Sequence, residues 1–144
     1  MTALQTSLTS TLGCRYPVIQ TAMGWVATPQ LVAASVEAGA FGFLAAAVMQ
    51  PAECEAAIKQ IKDASAAPFG VNLHSFQAGV EQIVDACIDH GVAAISYGRA
   101  PSAKLIEKRL KPHDSSPAPE LMSVLSTSSN ELCPVTSIDS STSV

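Results

Sequence analysis

The sequence predicts an α/β protein built on a parallel sheet, with about four consecutive βα units. Three observations carry that prediction. Short apolar runs alternate with amphipathic helical patterns over residues 1–111. The runs are apolar at nearly every position, as in strands covered on both faces, rather than at alternate positions. They also recur roughly every 25 residues, the length of one strand plus its crossover helix.

The runs lie at 17–23, 41–48, 69–73 and 92–97. Before the first, fifteen Thr-rich residues carry Arg15 as their single charge and no acid. They lack the repeated arginines and apolar stripe of an organelle presequence, so they read as a short N-terminal arm. The first helix has Thr28 as its cap, Pro29 at its first position and Gly39 just past its end, where a left-handed residue is needed. Pro51 opens the second, with Cys54, Ile58 and Ile61 on the dry face and Glu55 and Lys59 paired on the wet one. The third carries the stripe Val80, Ile83, Val84, Cys87 and Ile88 and stops at Gly91. A fourth helix is expected from Pro101 to about Lys111.

From Pro112 the composition changes. Residues 112–144 are rich in Ser, Thr and Pro and contain none of the eight glycines. They sustain neither helical nor strand period and read as an unstructured tail. The expected organisation is therefore a folded unit over 1–111 and a tail over 112–144.

Charge and composition exclude several functions. Eight Lys+Arg against twelve Asp+Glu, a net charge of -4, give no basic stripe for nucleic acid. The clusters Lys59/Lys62 and Lys104/Lys108/Arg109/Lys111 fit solvated helix faces. No apolar run is long enough to span a membrane. The four cysteines, at 14, 54, 87 and 133, form no CxxC pair or Cys/His set, which argues against a metal site and for a reduced, cytoplasmic setting.

In a layer of parallel βα units, chemistry gathers at the carboxyl ends of the strands. Those ends are Ala22-Met23-Gly24, Ala45-Ala46-Ala47, Asn72-Leu73-His74 and Ser96-Tyr97-Gly98. Small residues let backbone approach a flat ligand, and an asparagine offers both a donor and an acceptor. That suits an aromatic ring system with mixed edges. GxGxxG, GxxxxGK[ST] and GxSxG are all absent, which removes the dinucleotide, P-loop and nucleophile-elbow readings. On residue type alone, Met23 also suits a core gap, Asn72 a turn, His74 an ordinary loop position and Trp25 packing at the sheet's mouth.

The string "LGCRYPVIQTAMGWVATPQLVAASVEAGAFGFLAAA", followed by "PFGVNLH" and "AAISYGRAP", resembles the N-terminal part of the nitronate monooxygenase family, once called 2-nitropropane dioxygenases. Singly, "AGAFGF" or "GVN" also occurs in related flavin and IMP-dehydrogenase-like barrels; the order and spacing of all four strand ends is more specific. The resemblance spans about residues 8–111 and implies an FMN-dependent (β/α)8 TIM barrel, present here as about four βα units. It implies that Ala22, Met23 and Gly24 lie against the flavin ring and that the Asn72 amide bonds the cofactor. Ser96, Tyr97 and Gly98 fall near the pocket, and His74 is the candidate for substrate contact. The implied reaction is oxidation of an alkyl nitronate by molecular oxygen.

Two departures from the family pattern stand out. The family often carries Ala-Pro-Met where this chain has Thr21-Ala22-Met23. Its later Gly-rich segment with the catalytic histidine has no counterpart in the tail, and His113 lies outside any strand context, so no residue is assigned a catalytic role. The expectation is a half barrel that lacks the later loops where the FMN phosphate usually sits, with weak or absent FMN binding, little activity, and its reading frame in question near Leu110-Lys111. Alternatives are a non-enzymatic half barrel that self-associates through open sheet edges, a related FMN barrel such as an enoyl reductase or IMP-dehydrogenase-like enzyme, and a small doubly wound α/β domain. Strand order separates the last of these from a barrel.

Overall fold

A computed structural model of the chain describes residues 4–98 and 123–126. It opens on α1 (Ser7–Leu12), where the sequence suggested only an arm. Thr6 and Thr9 cap its start reciprocally, each backbone N–H donating to the other's hydroxyl, and Gly13 ends it at φ 67. Leu8 and Leu12 then sit one turn apart and face the sheet. A six-residue helix is marginal on its own, so burial of these leucines is what holds it.

The remaining elements follow in order: β1 (Ile19–Gln20), α2 (Pro29–Glu37), β2 (Phe41–Ala45), a 3-10 turn (Ala46–Val48), α3 (Pro51–Ala64), β3 (Gly70–Leu73), α4 (Val80–Asp89) and β4 (Ala94–Tyr97). Thr28 caps α2 by accepting from the Leu31 N–H at 3.4 Å, with Pro29 at the first position as expected. Gly39 stands at φ 95, and its carbonyl accepts from the N–H groups of Arg15 and Tyr16 at 2.9 and 2.8 Å, so the turn after α2 also anchors the approach to β1. Two apolar runs end as strands sooner than their composition suggests. β1 covers two residues of 17–23, and β2 stops at Ala45, beyond which the chain coils into the 3-10 turn. The helix expected over 101–111 lies outside the described residues.

All strand pairs are parallel, and the spatial order is β1-β2-β3-β4-β5, where β5 is Ser123–Ser126. A doubly wound domain reverses direction at a switch point; a barrel adds each strand beside the last. Strictly sequential order is therefore that of a partial (β/α)8 barrel. β5 falls in the stretch read as unstructured, and the reason is pairing. The free edge of β4 offers unpaired donors and acceptors that a segment without strong strand patterning can still satisfy. The rest of that stretch lies outside the described residues.

Two cores flank the sheet. On the helix side, Val32 and Val36 of α2, Ile58 and Ile61 of α3, and Ile83 and Val84 of α4 close over Leu44, Val71, Leu73, Ile95 and Tyr97. Each fully buried aliphatic side chain there contributes about 1.5–3 kcal/mol. On the barrel side, Phe41 and Phe43 meet edge to face at 5.2 Å between centroids and pack with Leu12 and Ala94. Gly70 makes room for them, since a Cβ at that position would overlap the Phe43 ring and come within 3.0 Å of Phe41 Cε1. The register stacks these side chains in layers: Phe43, Gly70 and Ala94 in one, and Ala45, Asn72 and Ser96 in the next toward the carboxyl ends. No helix among the described residues is long and apolar enough to cross a membrane.

Candidate functional site

The layer of aromatic rings sets the floor of the site. Above it the barrel face turns polar, because Asn72 and Ser96 stand opposite one another in the β3–β4 ladder. Asn72 Nδ2 donates to Ser96 Oγ at 2.6 Å and to the Ser96 carbonyl at 3.4 Å. Both bonds use the amide nitrogen, which leaves Asn72 Oδ1 as an acceptor for another group. Ser96 is itself buried, at 6% exposure, so this pair is dry on one side. A dry hydrogen bond holds its geometry more firmly than an exposed one.

His74 is the first residue past the end of β3. Its backbone N–H donates to Gln77 Oε1 at 2.8 Å, and its carbonyl accepts from the Gln77 N–H at 3.1 Å. Gln77 Nε2 reaches across to the Ala46 carbonyl at 3.1 Å, which ties the loop after β3 to the end of β2. The His74 ring stacks on Phe76, with centroids 5.1 Å apart and planes 14° from parallel. Gly98 lies beside it and donates its N–H to the Leu73 carbonyl at 3.0 Å.

The loop after β1 supplies the third part. The Met23 carbonyl accepts from the N–H groups of Val26 and Ala27 at 3.0 and 2.8 Å, folding 23–27 into a tight turn. A Cβ on Gly24 would meet Val48 Cγ1 at 3.6 Å, so the loop lies alongside the 3-10 turn after β2. Ala22 packs on the barrel-side core, while Met23 is 42% exposed, which removes the gap-filling role that residue type allowed it. The expectation for Trp25 as packing at the mouth is also corrected: its side chain is 83% exposed. Trp25 takes φ 59 in the Met23–Ala27 turn, the left-handed region that a bulky residue seldom adopts. A left-handed non-glycine residue costs about 1–2 kcal/mol. Strain of this kind concentrates at functional loops.

Ala22, Met23, Gly24, Asn72 and His74 therefore all lie at or just past the carboxyl ends of β1 and β3, at one end of the sheet. The sequence also put Ser96 near the pocket but gave no sign that it holds the Asn72 amide, and Gln77, the brace between loops, went unnoticed. The Ser96 pairing depends on register across 24 residues, which no local pattern encodes. Gln77 lies three residues past His74, at the spacing of a side chain that caps a turn, and that was the available signal. Gln20, at the end of β1, is a further polar group at depth. Its Nε2 donates to the Thr21 carbonyl at 2.5 Å, while its Oε1 is buried without a partner.

Comparison with known proteins agrees with this geometry. A (3aS,4S,5R,7aS)-5-hydroxy-7a-methyl-1-oxo-octahydro-1H-indene-4-carboxyl-CoA dehydrogenase from Rhodococcus jostii is 42% identical over 108 residues, covering 75% of this chain and 31% of that enzyme. The chain thus spans about a third of the length of the curated relatives it matches. Among solved structures, FabK from Thermotoga maritima superposes with a TM-score of 0.70 at 25% identity, over 86% of this chain and 37% of that one. Nitroalkane oxidase from Streptomyces ansochromogenes gives 0.63 at 25% identity, over 72% and 39%. Residues 5–97 match the nitronate monooxygenase family. That match takes in every described strand from β1 to β4 and all five candidate site residues, and the chain belongs to the nitronate monooxygenase family.

Proposed function

We propose that this chain forms the ring-binding side of an FMN-dependent oxidoreductase. One observation carries the reading: a small-residue turn, a fixed amide and a half-buried imidazole meet at one end of a parallel sheet, above a floor of packed aromatic rings. The residues fit a flavin ring. Ala22, Met23 and Gly24 offer a turn that a flat ring can approach closely, and Asn72 Oδ1 offers an acceptor to a ring N–H at its polar edge. The chemistry that FMN supplies when bound is the uptake of electrons from the substrate carbon and their delivery to oxygen. The residues of this chain orient the reactants. Ser96 holds the Asn72 amide, Gln77 holds the loop that bears His74, and His74 contacts substrate.

Two substrate classes suit the site. Oxidation of an alkyl nitronate by molecular oxygen is supported by the family and by the likeness to nitroalkane oxidase. Dehydrogenation of a carboxyl-CoA compound is favoured by the 42% identity to the Rhodococcus enzyme. The exposed apolar side chains around the strand ends, Met23, Trp25, Val26, Val48 and Phe76, would suit the hydrocarbon body of either. Pairing of the β1 edge, which has no outer strand beside it among the described residues, with a second copy belongs to the same proposal, and size-exclusion chromatography reads it directly.

Flavin titration tests the reading. FMN fluorescence should be quenched and its absorbance bands shifted when the purified chain is added. Riboflavin should bind about as well as FMN, because the assigned residues face the ring rather than the phosphate. A chain that leaves both spectra unchanged refutes the proposal, and a stable colourless dimer in its place supports a non-enzymatic interaction module.

A further inference from the structure

The His74 ring is only partly buried, yet its Nδ1 is buried and makes no hydrogen bond. Gly98 closes off that edge. A Cβ on Gly98 would overlap Nδ1 and lie 2.8 Å from Cε1, so even a methyl group has no room there. Gly98 does not adopt a left-handed conformation, unlike Gly13, Gly39, Gly79 and Gly91. Its backbone does not demand glycine; the imidazole beside it does.

A neutral imidazole carries one proton, on Nδ1 or on Nε2, and the other nitrogen is an acceptor. A donor buried without an acceptor loses its full hydration, and orphaned N–H groups are correspondingly rare. A lone pair set against the Gly98 Cα–H is the milder arrangement. The environment of Nδ1 therefore places the proton on Nε2. Stacking on Phe76 fixes the plane of the ring, and Gln77 fixes the backbone that carries it.

We propose that His74 is a substrate-binding residue that presents its Nε2–H to a substrate oxygen carrying or developing negative charge, with its tautomer and orientation set by Gly98. This rests on the flavoprotein reading, which supplies a reaction in which charge accumulates on such an oxygen. Two sources share that chemistry, the oxygen of an alkyl nitronate and the carbonyl oxygen of a carboxyl-CoA thioester. A fixed N–H donor suits both, because it is already aimed at the oxygen where charge develops.

Nitrogen-detected NMR on histidine-labelled full chain tests the proposal. The chain has three histidines, and loss of one set of signals in His74→Gln assigns His74. The expected result is the Nε2–H tautomer in the free protein. Propan-2-nitronate and cyclohexanecarboxyl-CoA are then titrated separately, and one of them should shift the His74 ring signals and thereby identify the source of the oxygen. His74→Phe should weaken that probe about tenfold, and His74→Gln, which keeps an N–H donor, should recover part of the loss. If His74→Phe does not fold, Gly98→Ala provides the second arm, since its methyl displaces the ring while retaining it, and it too should weaken the responding probe. An Nδ1–H tautomer, silence of His74 toward both probes, or unchanged probe affinity in the folded variants overturns the inference. FMN titrated in parallel separates the two claims. FMN binding with a silent His74 refutes this inference alone, whereas a responsive His74 in a chain that ignores FMN refutes the flavin reading alone.

Discussion

Replacement of Gly70 by alanine tests whether the aromatic floor sets the site above it. The added methyl would overlap the Phe43 ring and stand 3.0 Å from Phe41 Cε1, and both rings are buried, at 4% and 0% exposure. Gly70 is not left-handed, so the backbone accepts alanine, and lower chain entropy in the unfolded state favours the change by about 0.5–1 kcal/mol. Against that, overpacking of a buried layer costs roughly 1–3 kcal/mol. The rings have nowhere soft to go, because Leu12 and Ala94 close the same cluster. The net expectation is a loss of about 1–2 kcal/mol, which in urea unfolding appears as a midpoint lower by about 1 M. Phe43→Leu should relieve the overlap, so Gly70→Ala made in that background should cost much less than in the wild type. The coupling between the two sites is the diagnostic quantity. A Gly70→Ala variant as stable as wild type, or strictly additive with Phe43→Leu, would sink the argument for a packed barrel-side floor.

Other expectations follow from the same structure. Asn72→Ala should weaken flavin binding about three- to tenfold, and Ser96→Ala should do so by less, because the second variant frees the amide rather than removing it; fluorescence titration reads both. Gly39→Ala should cost about 2 kcal/mol in urea unfolding, since φ 95 is strained for alanine and its Cβ would lie 2.9 Å from Arg15 Cβ. Burial pushes the Cys54 thiol up to about 11 from an ordinary 9.0, and burial together with the neighbouring Cys54 raises Cys87 well above it. Above pH 9 the unfolded chain would lose these protons while the folded chain keeps them. The stability contributed is therefore complete below pH 9 and lost as pH rises toward 11, by roughly 2 kcal/mol for Cys54. Urea midpoints measured across that range should fall, and Cys54→Ala should flatten the fall.

Much of the fold was legible because its signals are local. Thr28 with Pro29, Gly39, Pro51 and Gly91 mark helix ends through backbone chemistry that does not depend on neighbours. The uniformly apolar runs marked β2, β3 and β4 because parallel strands are dry on both faces. What escaped was set by tertiary contact. Leu8 and Leu12 make a helix of a Thr-rich segment only when Phe41 and Phe43 are there to receive them. β5 takes its form from the edge of β4. At the site, the strand ends could be placed by alternation alone, which put Asn72 and His74 at the carboxyl end of β3. Trp25 takes a positive φ inside a turn, and no property of a tryptophan announces it.

The sequential strand order has a consequence for synthesis. From β2 to β4 each strand's neighbour lies one βα unit earlier in the chain, so each of these strands leaves the ribosome with its partner already present. The growing sheet can lengthen by accretion, with each new helix sealing the flank just formed. An architecture that interleaved early and late strands would instead keep long apolar stretches waiting in water. Here the edge that moves is the one just made, while the β1 edge stays where it began.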